Sequence, residues 1–382
     1  MTGFISILTE TLPAGLLPQI SSGLGISESL AGQTVTFYAL GSLLAAIPLT
    51  VATRGWQRKT VLLIGIIGFL IFNTITALST NYLLILFSRF MAGVAAGLCW
   101  SLLAGYARRM VQPHQQGRAL AIAMVGTPIA LSLGVPFGTW LGNFAGWRIT
   151  FGIMSILTLI LIFWVLAKIP NYPGQSNKQR LSLYRVFTTT GVRPVLAVIV
   201  VWMLAHNILY TYIAPFVATA GLAEKVDLVL LVFGVTALIG IWIVGLVVDR
   251  WLRVSVLWSL TAFALTSLIL GLAGTFPVVI FISIGVWGVT FGGAATLLQT
   301  ALADNAGEGA DVAQSMCVTV WNLAIAGGGL VGGILLQTHG AGAFPWALLI
   351  LILIGIFIVM ISYQHGFKPG RRAIGASEPI GH

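Results

Sequence analysis

The chain has 382 residues, of which 58% are hydrophobic and 7% charged, with a mean hydropathy of +1.01 and a formal net charge of +10. A soluble domain of ordinary composition is about 25% charged, so these residues cannot build a water-facing surface of normal size and the chain belongs in a bilayer. Its Lys and Arg are spread over short loops rather than gathered on one face, which argues against a nucleic-acid partner.

A helix needs about 20 apolar residues to cross about 30 Å of hydrocarbon. Segments that qualify lie near 3–22, 33–52, 60–79, 81–104, 119–142, 148–167, 194–217, 228–248, 255–273, 276–301, 313–337 and 344–363. The first is a retained span rather than a secretory signal: the first Lys or Arg is Arg54, so a basic leader region is missing. It starts almost at Met1, and the chain as given is expected to lack a few residues of the first helix. Breaks fall at Gly, Pro, Asn and charge clusters such as "TRGWQRK", "ARRMVQPHQQGR" and "DRWLRV".

Orientation follows from the basic residues. With the N-terminus in the cytoplasm, sixteen of the nineteen Lys and Arg fall in inner loops or the tail. These are Arg54, Arg58, Lys59, Arg108, Arg109, Arg118, Lys168, Lys178, Arg180, Arg185, Arg193, Arg250, Arg253, Lys368, Arg371 and Arg372. Arg148 and Lys225 fall outside, and Arg89 lies within a span. The inner loop "ADNAGEGADV" carries Asp304, Glu308 and Asp311, but acidic residues weigh little in orientation. Both termini are therefore expected in the cytoplasm. The longest hydrophilic run, 168–193, divides the spans six and six. The expected organisation is an N-terminal six-helix bundle (1–167), a cytoplasmic linker (168–193), a C-terminal six-helix bundle (194–363) and a cytoplasmic tail (364–382).

An internal repeat supports that division. With an offset of 195 residues and no gap, Trp56 meets Trp251, Arg58 meets Arg253, Val61 meets Val256 and Leu62 meets Leu257. Gly93 meets Gly288, Gly97 meets Gly292, Gly134 meets Gly329 and Gly138 meets Gly333. Repeated halves in a polytopic membrane protein point to a transporter whose substrate site lies between them near the midplane. Glycines four apart share a helix face and let backbones approach closely. Their recurrence in the fifth and eleventh spans predicts interfaces that pack and slide, with Gly134 and Gly138 meeting a helix of the other half.

Several polar groups sit where hydrocarbon is expected. Glu10 lies within the apolar, Pro-marked stretch "GFISILTETLPAGLLPQI", and its repeat partner Ala205 is mid-span. Arg89 is eight residues into its span, about 12 Å deep at about 1.5 Å per residue. It either ties helices together through backbone carbonyls or presents a fixed cation to a central cavity. With Glu10 at similar depth, the pair would let a carboxylate change protonation as the cavity changes sides; the alternative is a salt-bridged or capped acid at a frayed helix start. His206 and Tyr210, four apart, share a face of the seventh span. With Asn207, Tyr212, Trp100, Trp287 and Asn322 they either bond helix to helix or line a cavity suited to hydroxylated or aromatic molecules. Cys99 and Cys317 read as packing residues rather than a disulfide or metal pair.

The stretches "RFMAGVAAGLCW", "GTPIALSLGVPFGTWLGNFAGWR" and "GLVVDRWLR", with "ETLPAGLLPQI", "YTYIAPF" and "WNLAIAGGGLVGG", carry a resemblance. The chain resembles the major facilitator superfamily, most of all its twelve-span drug:proton antiporter branch, near bacterial sugar- or arabinose-efflux and nucleoside-efflux permeases. The resemblance implies an all-α integral membrane fold of twelve transmembrane helices in two pseudo-symmetric six-helix bundles. It implies that Arg89 is the buried arginine of the fourth span and that Gly126, Gly134, Pro136, Gly138 and Gly142 form the antiporter signature. The loop signature G-x-x-x-D-R-x-x-R stands as Gly245, Asp249, Arg250 and Arg253. Its first-half counterpart has Thr50, Arg54, Gly55 and Arg58, without the acid. In the family that acid is thought to hold the cytoplasmic side closed, a role that would fall here to Asp249 alone.

The motifs H-E-x-x-H, G-x-S-x-G and G-x-x-x-x-G-K-[ST] do not occur. The expectation is a transporter rather than an enzyme, with no cofactor or metal, driven by a proton gradient. Its partners would be protons, a small organic substrate (sugar, nucleoside or drug) and the lipid of a bacterial cytoplasmic membrane, in which it acts as a monomer. The rivals are a sugar or nucleoside uniporter or importer, a transport-inactive sensor or scaffold, and, more distantly, a membrane-embedded enzyme.

Overall fold

The computed structural model describes residues 1–53, 55–112, 122–174 and 183–368. Arg54, Arg118, Lys178, Arg180, Arg371 and Arg372, the middle of the linker and the tail beyond 368 lie outside the described residues, as do the side chains of Thr50, Arg108, Glu308 and Asp311. Every regular element among the described residues is helical.

The first crossing is made by α1 (Thr2–Gly15) and α2 (Leu17–Leu24), broken at Leu16, whose φ and ψ are −113° and 10°. Pro13 and Pro18 flank the break, each lacking the N–H that a helix interior needs. Then follow α3 (Glu28–Ala52), α4 (Arg58–Leu78) and α5 (Tyr82–Arg109). The fifth crossing is α6 (Ile122–Ala145), which widens into a π turn over Ala130–Gly134 just before Pro136. A proline whose N–H is missing, next to glycines, is a usual origin of such a bulge. α7 (Trp147–Lys168) completes the first half, and the short α8 (Leu183–Thr188) ends the linker.

The seventh crossing repeats the broken geometry of the first: α9 (Val192–Thr211) and α10 (Ile213–Ala218) meet at Tyr212, φ −110° and ψ 32°. α11 (Val226–Ala273) is two crossings joined through non-helical Trp251, φ −132° and ψ 36°. α12 (Pro277–Gly292) and α13 (Ala294–Ala306) share the tenth, and α14 (Ala310–His339) and α15 (Phe344–Ile361) are the last two. Nine helical stretches among the described residues are long and apolar enough to span a bilayer. The kinked α11 serves twice, and α1–α2 and α3 supply the remaining two crossings.

The 195-residue repeat is visible in packing. A Cβ on Gly93 would lie 1.9 Å from the Tyr38 carbonyl oxygen, and one on Gly288 would lie 2.5 Å from that of Phe233, Tyr38's repeat partner. Likewise Gly97 abuts the carbonyl of Ser42 at 2.9 Å, and Gly292 that of Ala237 at 2.0 Å. Glycine is required here because α5 and α12 press directly on the backbones of α3 and α11. The halves meet along two pseudo-equivalent seams, α3 with α14 and α6 with α11.

One end of the bundle gathers the basic loops. There Tyr106 donates to the Pro170 carbonyl (2.9 Å) and Tyr172 to that of Arg109 (3.0 Å), strapping the start of the linker to α5. Arg253 donates to the carbonyls of Val359 and Phe367, both at 2.7 Å, placing its charge on the C-terminus of α15. At the far end, Arg148 donates to the Ala77 carbonyl at 3.1 Å and also to that of Ser79, so this cation closes the C-terminus of α4.

Candidate functional site

Pro13 begins the site. Its missing N–H leaves the carbonyl of Thr9, four residues earlier, without a helical donor. Arg89 supplies one: Nη2 donates to Thr9 at 2.6 Å, while Nε donates to the Thr34 carbonyl of α3 at 3.2 Å. The guanidinium also lies over the rings of Tyr38 (4.9 Å) and Phe151 (5.7 Å). Arg89 is fully buried, beside a small pocket lined by Pro13, Thr34, Thr76, Trp147 and Phe151 within the first half. It joins α1, α3 and α5 and does not present a cation to the space between the halves. Lys lacks the planar fork that reaches two carbonyls at once. Arg89→Lys is expected to cost about 2–3 kcal/mol of stability, the scale of a charged buried hydrogen bond, seen as a lower unfolding midpoint in detergent. An unchanged midpoint would remove the tie.

Glu10, one residue after Thr9, points differently. It is half-buried, and among the described residues no hydrogen bond or ion pair joins it to Arg89. It nevertheless lies within electrostatic reach of Arg89 and of Tyr210 from the second half. The Tyr210 hydroxyl approaches Thr11, the next residue of α1, but completes no hydrogen bond of normal geometry. Thr11 spends its own proton on the Ile7 carbonyl at 2.7 Å. Glu10 and Thr11 thus face α9 across the join of the two halves.

Behind Tyr210 stands an aromatic wall drawn from three helices. The His206 ring stacks on Phe291 with centroids 3.4 Å apart and planes at 4°. It lies 5.2 Å from Tyr210, 5.1 Å from Trp287 and 5.8 Å from Phe233. Phe233 and Trp287 are 4.4 Å apart. Within this wall His206 Nδ1, the Tyr210 hydroxyl and Trp287 Nε1 are buried without partners.

The other sequence candidates are dispersed. Asn207, next to His206 but about 100° around the helix, donates to Met203 of its own helix at 2.7 Å and packs against Gly328 of α14. It is a packing residue between α9 and α14, not part of the wall. Trp100 packs on Gly3, nearer the basic end, and Asn322 is buried and donates to Val318 at 2.9 Å. Thr11, Phe233 and Phe291 were missed by sequence reasoning. Phe233 is the repeat partner of Tyr38, which faces Arg89.

The sequence model of the Major Facilitator Superfamily matches residues 1–326. The chain belongs to this superfamily. It is also similar to the purine ribonucleoside efflux pumps NepI of Escherichia coli and Shigella sonnei, at 29% identity over 340 residues, covering 87% of this chain and 85% of each relative. Membership makes it a multi-pass membrane transporter of small molecules with twelve helices in two six-helix bundles.

The glycines of α6 pack differently from expectation. A Cβ on Gly126 would meet the Phe4 backbone nitrogen at 2.7 Å, on Gly134 the Phe4 ring at 3.1 Å, on Gly138 Leu12 at 2.5 Å and on Gly142 Leu16 at 2.2 Å. This stripe lies along α1 of its own half and sets how closely the Glu10 helix sits. Pro136, inside the same stretch, is buried. The contact with the other half is made from the opposite face of α6, where Ser132 enters a hollow at Gly234 of α11. In α14, runs of adjacent glycines serve both tasks. Gly328 and Gly332 face α9, whereas Gly329 and Gly333 face Thr36, Ser29 and Gln33 of the first half. Toward the far end Tyr212 seals that seam, donating to the Gly329 carbonyl at 2.7 Å, while Ser29 donates to Gly333 at 3.0 Å. In the loop signature, Gly245, Asp249 and Arg250 are exposed beside the Trp251 kink, and Arg253 holds α15.

Proposed function

We propose that this transporter exports purine ribonucleosides in exchange for protons, by alternating access of its two halves in a bacterial cytoplasmic membrane. The observation that carries the reading is the half-buried carboxylate of Glu10 facing the polar-edged aromatic wall of the second half. Such a site offers a proton acceptor to one ligand and stacking surface to the other. The similarity to the NepI pumps supports the substrate class. The basic loops support cytoplasmic termini, and the repeat supports rocking of 1–167 against 194–363 around the site. No cofactor enters the cycle, which one chain completes. Reconstituted protein should concentrate radiolabelled adenosine on the side of higher proton concentration when a pH difference is imposed, and should not when it is collapsed. Equilibration without accumulation would make it a uniporter, and no movement of any nucleoside would sink the substrate assignment.

Asp249 acts in this reading as the latch of the cytoplasmic side, beside the helix joint at Trp251. Asp249→Asn is expected to lengthen spin-label distances across that face and to shift the population toward inward-open. Unchanged distances would count against the latch.

A further inference from the structure

Resting on the nucleoside reading, we infer that the wall of His206, Tyr210, Trp287 and Phe233 is the subsite for the heteroaromatic base, with Phe291 as the ring the base displaces. Three observations converge. First, three polar atoms in the wall (His206 Nδ1, the Tyr210 hydroxyl and Trp287 Nε1) are buried without partners. Leaving such groups unpaired is costly, and three in one apolar cluster define a polar edge awaiting its complement. Two can donate and the imidazole can donate or accept, which matches the mixed ring nitrogens and exocyclic groups of a purine. A sugar without a base would pair with the edge but leave the aromatic faces uncovered.

Second, Phe291 lies squarely over His206, at 3.4 Å and 4°. Aromatic pairs favour offset or edge-on geometry with centroids about 4.5–7 Å apart over a full-face sandwich. Phe291 is therefore the least favourably seated ring of the cluster. It is also only partly buried, unlike Phe233 and Trp287. It is the penultimate residue of α12, just short of the break of the tenth crossing at Gly293, so its ring sits at a helix end rather than in a helix interior.

Third, the edge of the cluster formed by Tyr210 faces Thr11 and Glu10. A base stacked on His206 would direct its attached sugar toward the hydroxyl and carboxylate of α1. Both halves would then hold one molecule, the second by its base and the first by its sugar.

The test uses the purified full-length protein in detergent, with equilibrium binding of adenosine, adenine and ribose. Wild type is expected to bind adenosine and adenine and not ribose alone. His206→Phe keeps the stacking face and loses the ring nitrogens, and Trp287→Phe loses the indole N–H. Each is expected to weaken adenine binding about tenfold or more, the scale of one buried hydrogen bond. Phe291→Leu should bind adenine at least as tightly as wild type. Unliganded melting checks that each variant is folded, and should His206→Phe fail that check, Trp287→Phe decides alone. Folded variants that bind adenosine and adenine like wild type overturn the base subsite and leave the export reading standing. Weaker adenine binding by Phe291→Leu overturns the displacement. Wild type that binds none of the three overturns both.

Discussion

Glu10→Gln is expected to bind nucleoside and carry out counterflow as wild type does, while losing uphill export and the pH dependence of transport. One exchanged proton couples about 1.4 kcal/mol, or tenfold accumulation, to each unit of pH difference. The variant's accumulation ratio should fall to about one at any imposed gradient. The reason lies in how α1 divides its work. Thr9 gives its carbonyl to Arg89, which fixes the helix, while Glu10 stays free of that tie and only partly buried beside Tyr210. A carboxylate held in an ion pair would be committed in both conformations. One within reach of Arg89 but not bonded to it can exchange a proton with whichever side is open. Gln keeps the size and hydrogen-bonding shape of the protonated acid, so counterflow, which needs no net proton movement, should survive. Reconstituted Glu10→Gln that still concentrates nucleoside against its gradient would falsify the assignment.

Gly234→Val should abolish exchange in a protein that still folds. A Cβ at Gly234 would lie 2.2 Å from Ser132 Cα and 2.8 Å from the Leu131 carbonyl oxygen, both backbone atoms of the other half. Backbone inside a crossing cannot step aside as a side chain can. Overpacking costs about 1–3 kcal/mol, and here the cost falls only on conformations in which α6 and α11 close. The closed state should therefore be depleted by about 5- to 150-fold. Spin labels at Ser27 and Thr338, both exposed at the far end, should report the halves held apart. Gly138→Ala is the contrast. Its nearest neighbour is Leu12 Cδ1 at 2.5 Å, the end of a flexible side chain, so exchange should be largely kept. Gly138→Leu would push α1 away within its own half, displacing Glu10 rather than propping the bundles. Equal exchange by Gly234→Val and wild type would show that this seam does not open and close in the cycle.

The sequence by itself determined the spans, the repeat, the family and the presence of two opposite charges at similar depth. The bilayer imposes this legibility: each crossing must satisfy its backbone internally and present apolar side chains, so hydropathy and loop charge report topology almost directly. Even the acceptor for Arg89 was half-written, because Pro13 must free the carbonyl of Thr9. Only the tertiary structure decided what lies across each face. Gly134, Gly138 and Gly142 share a stripe by their spacing, but spacing does not say whether α1 or the other half fills it. Ser132, on the opposite face, turned out to make the contact between halves. His206 and Asn207 are sequence neighbours with separate fates, because a step of about 100° around the helix sends one to Phe291 and the other to Gly328. His206, Trp287 and Phe291 could not be joined from sequence, since about 65 residues lie between α9 and α12. Lipid is as apolar as any helix face, so hydrophobicity cannot tell a face turned to lipid from one turned to a neighbour. Close packing and buried polar groups make that choice, and both depend on several helices at once.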